Sequence, residues 1–180
     1  MLELVKDGNI KYKELLEKIR TDYKKAYDVI QLKHTTPYQK SLDYYDALYA
    51  IYKDKDVPAY LERMKRYLAS LGEDANGADY ASAAQSLYYA AASKLRPEDH
   101  RQAIAWLEKA IPGETVLMNK INYLVMVGDS YKELKDYASA RKYYNQAYAE
   151  SLQLASMEQA QQVVQASVTY KLATLELLEK

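Results

Sequence analysis

The chain has no cysteine and no phenylalanine, only two histidines, five glycines and four prolines, and no excess of charge of either sign. Without cysteine there is no disulfide, no thiolate nucleophile and no zinc-thiolate site, and that absence leans toward an extracytoplasmic compartment over the cytoplasm. Lys+Arg and Asp+Glu both number 25, so no net field draws in nucleic acid, anionic lipid or an acidic substrate. Any partner has to be recognised by local surface. No apolar run approaches the roughly eighteen residues of a membrane span, and no basic start leads into an apolar stretch, so neither membrane insertion nor a secretory signal is expected. Two histidines, no cysteine and no glycine-rich phosphate loop offer no converging nucleophile, base and stabiliser. The expectation is a non-enzyme, with no cofactor and no bound metal.

Within 180 residues, 49% are hydrophobic and 28% charged, the balance of a soluble chain that buries a continuous core, read as one domain over residues 1–180. Tyrosine numbers 20. Each tyrosine brings a ring of apolar area but needs a partner for its hydroxyl, which suits the half-buried seams of a thin, two-layered protein, or a tyrosine-lined binding surface.

Between the few glycines and prolines, apolar residues recur at spacings of three and four, the period of amphipathic helices, and no alternating strand pattern occurs. About eight helices are expected. Asn9 caps a first, with its stripe at Tyr12, Leu15, Leu16, Ile19, Tyr23, Ala26, Tyr27 and Ile30. Thr36 and Pro37 start a second, which ends in the polar run Lys53 to Asp56. Asp56 caps a third that carries Pro58 in its first turn and closes at Gly72 in the left-handed conformation. A polar loop from Gly72 to Gly77 is the most breakable point. Asp79 opens the fourth helix, Pro97 the fifth to Ile111, Thr115 caps the sixth to Leu134, Asp136 the seventh to Leu152, and the eighth runs from Met157.

Internal repetition decides the fold class. From Ile121, the residues Leu124, Val127, Gly128 and Tyr131 on one helix are followed by Ala140, Tyr144 and Ala147 on the next. Small residues stand where two antiparallel helices approach most closely, and tyrosines fill the gaps beside them. This pattern resembles the tetratricopeptide repeat, lacking only its first aromatic and closing proline. A second unit has Leu87, Ala90, Ala91, Ala103, Leu107 and Ala110, with Lys94 in place of the tyrosine and Trp106 wedged at the seam. Val163, Ala166, Ser167 and Tyr170 fill the first-helix positions of a third. Residues 1–76 resemble the family less and read as degenerate helical hairpins, with 77–180 as the recognisable part. The string Asp-Tyr-Ala-Ser-Ala occurs at both Asp79 and Asp136, which leaves a second phasing open. The resemblance implies an all-α, right-handed α-α superhelix of stacked antiparallel helix pairs.

It also implies a concave groove, carried over residue by residue to Gln85, Tyr88 and Ala92, then Asn122, Val125, Asp129 and Lys132, then Gln161, Val164, Val168 and Lys171. The lysine and asparagine clamp by which some family members hold a C-terminal carboxylate is not matched at Val125, Met126 and Asp129. A partly apolar groove suits a helix or extended segment instead. The expected function is a protein or peptide interaction module, the scaffold or sensor part of a larger bacterial protein in signal transduction. Two other readings stay open: a helical receptor or enzyme with a tyrosine-lined pocket beneath Tyr88 and Trp106, and a self-associating spacer that dimerises through the final helix. Glu98, Asp99 and His100 read as a solvated helix start, and Arg63, Lys65 and Arg66 as a solvated face.

Overall fold

The computed structural model describes residues 14–15, 17–22, 37–91 and 94–179. Among them every regular element is helical. Seven α-helices have defined bounds: α1 Pro37–Tyr49, α2 Val57–Leu71, α3 Gly77–Ala91, α4 Pro97–Ala110, α5 Leu117–Glu133, α6 Tyr137–Ser151 and α7 Glu158–Leu178. They correspond to the second through eighth helices expected. The described part of the first, residues 14–15 and 17–22, is helical too, while its cap Asn9 and most of its stripe lie outside the described residues. The chain forms two compact units, one of residues 1–75 and 86–93 and the other of 76–85 and 94–180.

In the first unit α1 and α2 pack on one another, with Leu42, Leu48, Tyr60, Met64 and Leu68 buried on the two helices and Ile51 buried in the turn between them. Tyr60 is 0% exposed. Burial raises its pKa well above the usual range, and Ser86 supplies the hydroxyl's hydrogen bond. A fully buried tyrosine of this kind is tolerated because the hydroxyl is satisfied. Asp46, also buried, accepts from Arg20 at 2.8 Å through its carboxylate, and Arg63 donates to its backbone carbonyl at 3.0 Å. Arg63 is therefore held by the fold, whereas Lys65 and Arg66 are exposed as expected.

Two turns are built alike. After α1 the chain makes a wide π-type turn over Ala50–Asp54, Lys55 takes φ 57°, and Asp56 caps α2 by accepting from the Ala59 amide at 2.9 Å. After α5, Lys135 takes φ 61° and Asp136 caps α6 by accepting from the Ser139 amide at 3.0 Å. In both, a left-handed lysine reverses the chain, and the following aspartate satisfies amide groups that a helix start leaves unpaired. The expected caps Asp56 and Asp136 hold, and Gly72 closes α2 at φ 59°.

Two other caps differ from expectation. Helix α3 begins at Gly77, because the Asn76 side chain accepts from the Ala78 and Asp79 amides while Asp79 accepts from the Asn76 amide at 3.0 Å. Asp79 thus sits inside the first turn as the reciprocal partner of a capping box, not as the cap. At α5, Glu114 accepts from the Val116 amide at 2.8 Å and from Asn119, and that backbone hydrogen bond holds the Glu114 carboxyl below its ordinary pKa. Thr115 is not the cap: Val116 stands at the N-cap of α5, whose first turn has no side-chain cap, and Glu114 holds only the approach to it.

The second unit is built on α4 to α7, each packed on the next, with the start of α3 against the end of α4. A Cβ on Gly77 would lie 3.2 Å from the Ala110 carbonyl oxygen, and Lys109 stands over the Tyr80 ring at 4.6 Å. Ile121, Leu124, Ala140, Tyr144, Ala147, Leu154, Val168 and Leu175 form one core cluster across α5, α6, the turn that follows α6, and α7.

Candidate functional site

Helix α5 has three faces. Ile121, Leu124 and Gly128 pack on α6, and Tyr123, Met126 and Ser130 are buried as well. The third stripe, at spacings of three and four, is Asn122, Val125, Asp129 and Lys132. Asn122 is exposed and the other three are half-buried. This stripe is the part of the proposed groove that the fold leaves most open.

Asp129 sits at its centre. Its Oδ1 accepts from the Tyr144 hydroxyl at 2.6 Å and from Lys171 Nζ at 2.6 Å, and the same ammonium stands 5.8 Å from the centre of the Tyr144 ring. Two residues expected to be free for a partner are therefore bound to one another across α5 and α7. Such a contact, made by a carboxylate with its side chain 20% exposed and a lysine 26% exposed, is better shielded than a surface pair and anchors α7 to α5.

The α7 positions assigned to the groove are largely taken by the fold. Val168 is 1% exposed, and Val164 packs against the core beside Leu172. Gln161 donates to the carbonyls of Ser151 and Leu152 at 3.1 and 3.3 Å, tying the start of α7 to the end of α6. Conversely, Val163 and Tyr170, assigned to packing, are 69% and 75% exposed. The reason is visible in α5, where the matching positions Leu124, Gly128 and Tyr131 meet α6; among the described residues no helix follows α7 to meet Val163 and Tyr170. Of the remaining groove residues, Gln85 belongs to the second unit, Tyr88 is half-buried in the first, and Ala92 lies outside the described residues.

On the other side of the second unit a crevice of about 420 Å³ is lined by Arg101, Ile104, Ala105, Glu108, Tyr131, Leu134 and Asp136. Tyr131 stacks on Tyr143 with ring centres 5.6 Å apart, and the Tyr143 hydroxyl donates to Glu108 at 2.6 Å. Burial, reinforced by that hydrogen bond to a carboxylate, pushes the Tyr143 phenol above its ordinary pKa; burial and the charges of Glu108 and Asp136 do the same to Tyr131. Both therefore remain neutral donors at physiological pH. Residue spacing does not single out this crevice, since Arg101 and Glu108 come from α4, Tyr131 from α5 and Asp136 from the turn before α6.

The start of α4 also departs from expectation. Asp99 is 0% exposed: it accepts from the Arg96 amide at 2.9 Å and from the Arg96 guanidinium at 3.1 Å through each oxygen. Burial works to raise its pKa, but these hydrogen bonds outweigh burial and hold the carboxyl below its ordinary value. His100 is 5% exposed, and its Nδ1, like Ser130 Oγ, has no hydrogen-bond partner among the described residues. Burial lowers the His100 pKa against the opposing charges of Glu133 and Asp99. Trp106, expected at a seam, is 3% exposed.

Among the described residues, no group of three or more His, Asp or Glu side chains is placed to hold a metal ion, and no helix is long and apolar enough to cross a membrane. Neither a family model, nor a curated protein, nor a solved structure matches the chain.

Proposed function

We propose that the chain is a non-catalytic protein-interaction module of tetratricopeptide-like helix pairs, stacked as a right-handed superhelix, that binds a helical or extended peptide along the open stripe of α5. The observation that carries this reading is the stripe itself. Asn122, Val125, Asp129 and Lys132 lie on a helix whose other two faces are buried, so their positions are fixed to the precision of the core while their outer atoms remain accessible. Recognition groups held on a rigid element bind with little ordering cost. Val125 offers the apolar anchor, Asn122 and Lys132 the flanking polar contacts, and Asp129 has its second oxygen, Oδ2, left over from the contacts to Tyr144 and Lys171. The repeat reading is supported by the α5 and α6 pair, where Ala140, Tyr144 and Ala147 are each 0% exposed at the family's packing positions. Its role as scaffold or sensor part of a larger bacterial protein rests on the resemblance alone.

The test is selection of displayed peptides on the full chain, followed by affinity measurement against Val125→Asp and Lys132→Glu variants. A loss of tenfold or more for Val125→Asp, with unchanged circular dichroism, supports the α5 stripe. Peptides that bind both variants as they bind the parent place recognition elsewhere.

A second reading is favoured by the crevice. Arg101 and the carboxylates of Glu108 and Asp136 surround apolar Ile104 and Leu134, which suits a small ligand carrying both charges. Calorimetric titration with free amino acids, repeated on Arg101→Ala, separates this reading from the first.

A further inference from the structure

Helix α7 presents two apolar faces, and the fold covers one of them. Val164, Val168, Leu172 and Leu175 pack inward, with Val168 and Leu175 at 1% and 0% exposure. On the opposite side Val163, Tyr170 and Leu177 are 69%, 75% and 71% exposed. These three are spaced at intervals of seven residues, and Ala166 and Ala173, also exposed, fall three residues after the first two. That is the seven-residue repeat of a helix-pairing seam, with bulky residues at one position and small ones at the other.

The face is also nearly devoid of charge. From Gln159 to Leu175 the only charged residue is Lys171, and it is committed to Asp129 at 2.6 Å. At the chain's overall charged fraction of 28%, a stretch of that length on a solvated surface would carry several charges. Glu176 and Glu179, at the end of the helix, are drawn to Arg141 at 3.8 and 2.6 Å. A solvated helix face alternates lysine and glutamate; this one shows glutamine, serine, threonine and alanine around three large apolar side chains.

We propose that this face is where a second copy of the same chain docks, with two α7 helices pairing antiparallel about a twofold axis beside Tyr170. The arrangement is self-complementary in the sequence: Val163 of one copy falls opposite Leu177 of the other, Ala166 opposite Thr174, and Ser167 opposite Ala173, with Tyr170 meeting its own counterpart at the axis. A twofold interface requires this reciprocity, and few helix faces possess it. The small residues on either side of Tyr170 let the axes approach to about 8–10 Å. Antiparallel pairing also keeps the two Glu176 and Glu179 ends apart, whereas parallel pairing would set them side by side. The seam from Val163 to Leu177 is about 21 Å long at 1.5 Å per residue, so the interface belongs to the small class and the dimer depends on concentration. It uses a surface separate from the α5 stripe, so either reading stands if the other fails.

The chain's lack of cysteine makes the geometry directly testable. Sedimentation of the full chain over rising concentration is expected to shift from 20.7 kDa toward twice that mass, and Tyr170→Glu or Val163→Lys is expected to remain monomeric with unchanged helicity. Ser167→Cys and Ala173→Cys, prepared separately, should cross-link under mild oxidation when mixed and not when alone. A parent chain that stays monomeric at all concentrations, a dimer indifferent to Tyr170→Glu, or cross-linking by each cysteine variant alone would overturn the proposal.

Discussion

Gly128 and Tyr144 share one packing site. A Cβ placed on Gly128 would overlap Cε1 of the Tyr144 ring and lie 2.6 Å from Cδ1. The ring has nowhere to go, because it is 0% exposed and its hydroxyl is held by Asp129 at 2.6 Å. Helix α5 and helix α6 therefore meet through hydrogen on one side and an aromatic face on the other.

Gly128→Ala is expected to destabilise the chain despite the helix propensity of alanine. That propensity contributes about 1 kcal/mol in alanine's favour, while overpacking in a filled core costs about 1–3 kcal/mol. Gly128→Leu is expected to be worse and to loosen α5 from α6. Urea denaturation followed by circular dichroism at 222 nm checks both. A midpoint at or above that of the parent for Gly128→Ala would mean that Tyr144 moves freely, contrary to its position in the core.

The pairing of Gly128 with Tyr144 was legible in the residues because small and large positions alternate across two helices at repeat spacing. The phase of α7 was not. Val164, Val168, Leu172 and Leu175 form one apolar stripe and Val163, Tyr170 and Leu177 another on the opposite side, so periodicity alone does not say which one the core takes. Neither was the burial of Asp99, whose cost is offset by a guanidinium three residues back whose own side chain is 52% exposed. Helix caps were read correctly where a single aspartate precedes the helix, at Asp56 and Asp136. The expectation fails where two polar residues compete, at Asn76 with Asp79, and at Thr115, because α5 starts from Val116 without a side-chain cap. At the candidate site, the α5 stripe followed from helical geometry, whereas the crevice beside Tyr131 is assembled only in three dimensions.

Asp129 Oδ1 accepts from two donors at once, so Tyr144 and Lys171 should be energetically coupled through it. Tyr144→Phe keeps the ring and removes one hydrogen bond to a charged acceptor, a loss of about 1.5–3 kcal/mol. Lys171→Met keeps the stem and removes the other. A double-mutant cycle is expected to give an interaction energy of about 0.5 kcal/mol or more. Strict additivity would show that Asp129 rearranges to satisfy each donor independently.

His100 sets an acid limit on stability. Its folded-state pKa lies below the ordinary 6.5 because burial disfavours the charged form. Below the unfolded value the unfolded chain takes up a proton that the folded chain resists, so stability falls as pH drops through about 6.5 and the fall ceases below the folded-state pKa. The depressed carboxyls Asp99, Glu114 and Asp136 add their own loss at more acid pH, starting from ordinary values of 3.8, 4.5 and 3.8. Between pH 7.5 and 5.5 the histidine therefore dominates among these groups. The urea midpoint of the parent should fall over that range, and that of His100→Gln should fall less. Equal declines in the two proteins would assign the acid sensitivity to another group.

The two copies of Asp-Tyr-Ala-Ser-Ala differ in what their aspartates hold, and substitution should reveal it. Asp136 is the sole side-chain cap described for α6, accepting from the Ser139 amide at 3.0 Å, and that hydrogen bond holds its carboxyl below the ordinary pKa. Asp79 lies within the first turn of α3, where Asn76 already accepts from the Ala78 and Asp79 amides at 2.8 and 3.3 Å. Removing a cap leaves helix amides unpaired and costs about 1 kcal/mol, whereas removing the reciprocal member of a capping box leaves the cap in place. Asp136→Ala is therefore expected to lower stability by about that amount, Asp79→Ala by less, and Asn76→Ala by more than Asp79→Ala. Asp136→Asn, which keeps an accepting oxygen, should recover most of the loss at neutral pH. Equal effects of Asp79→Ala and Asp136→Ala would mean that the shared string works in one phase in both places and that α3 opens at Asp79 after all.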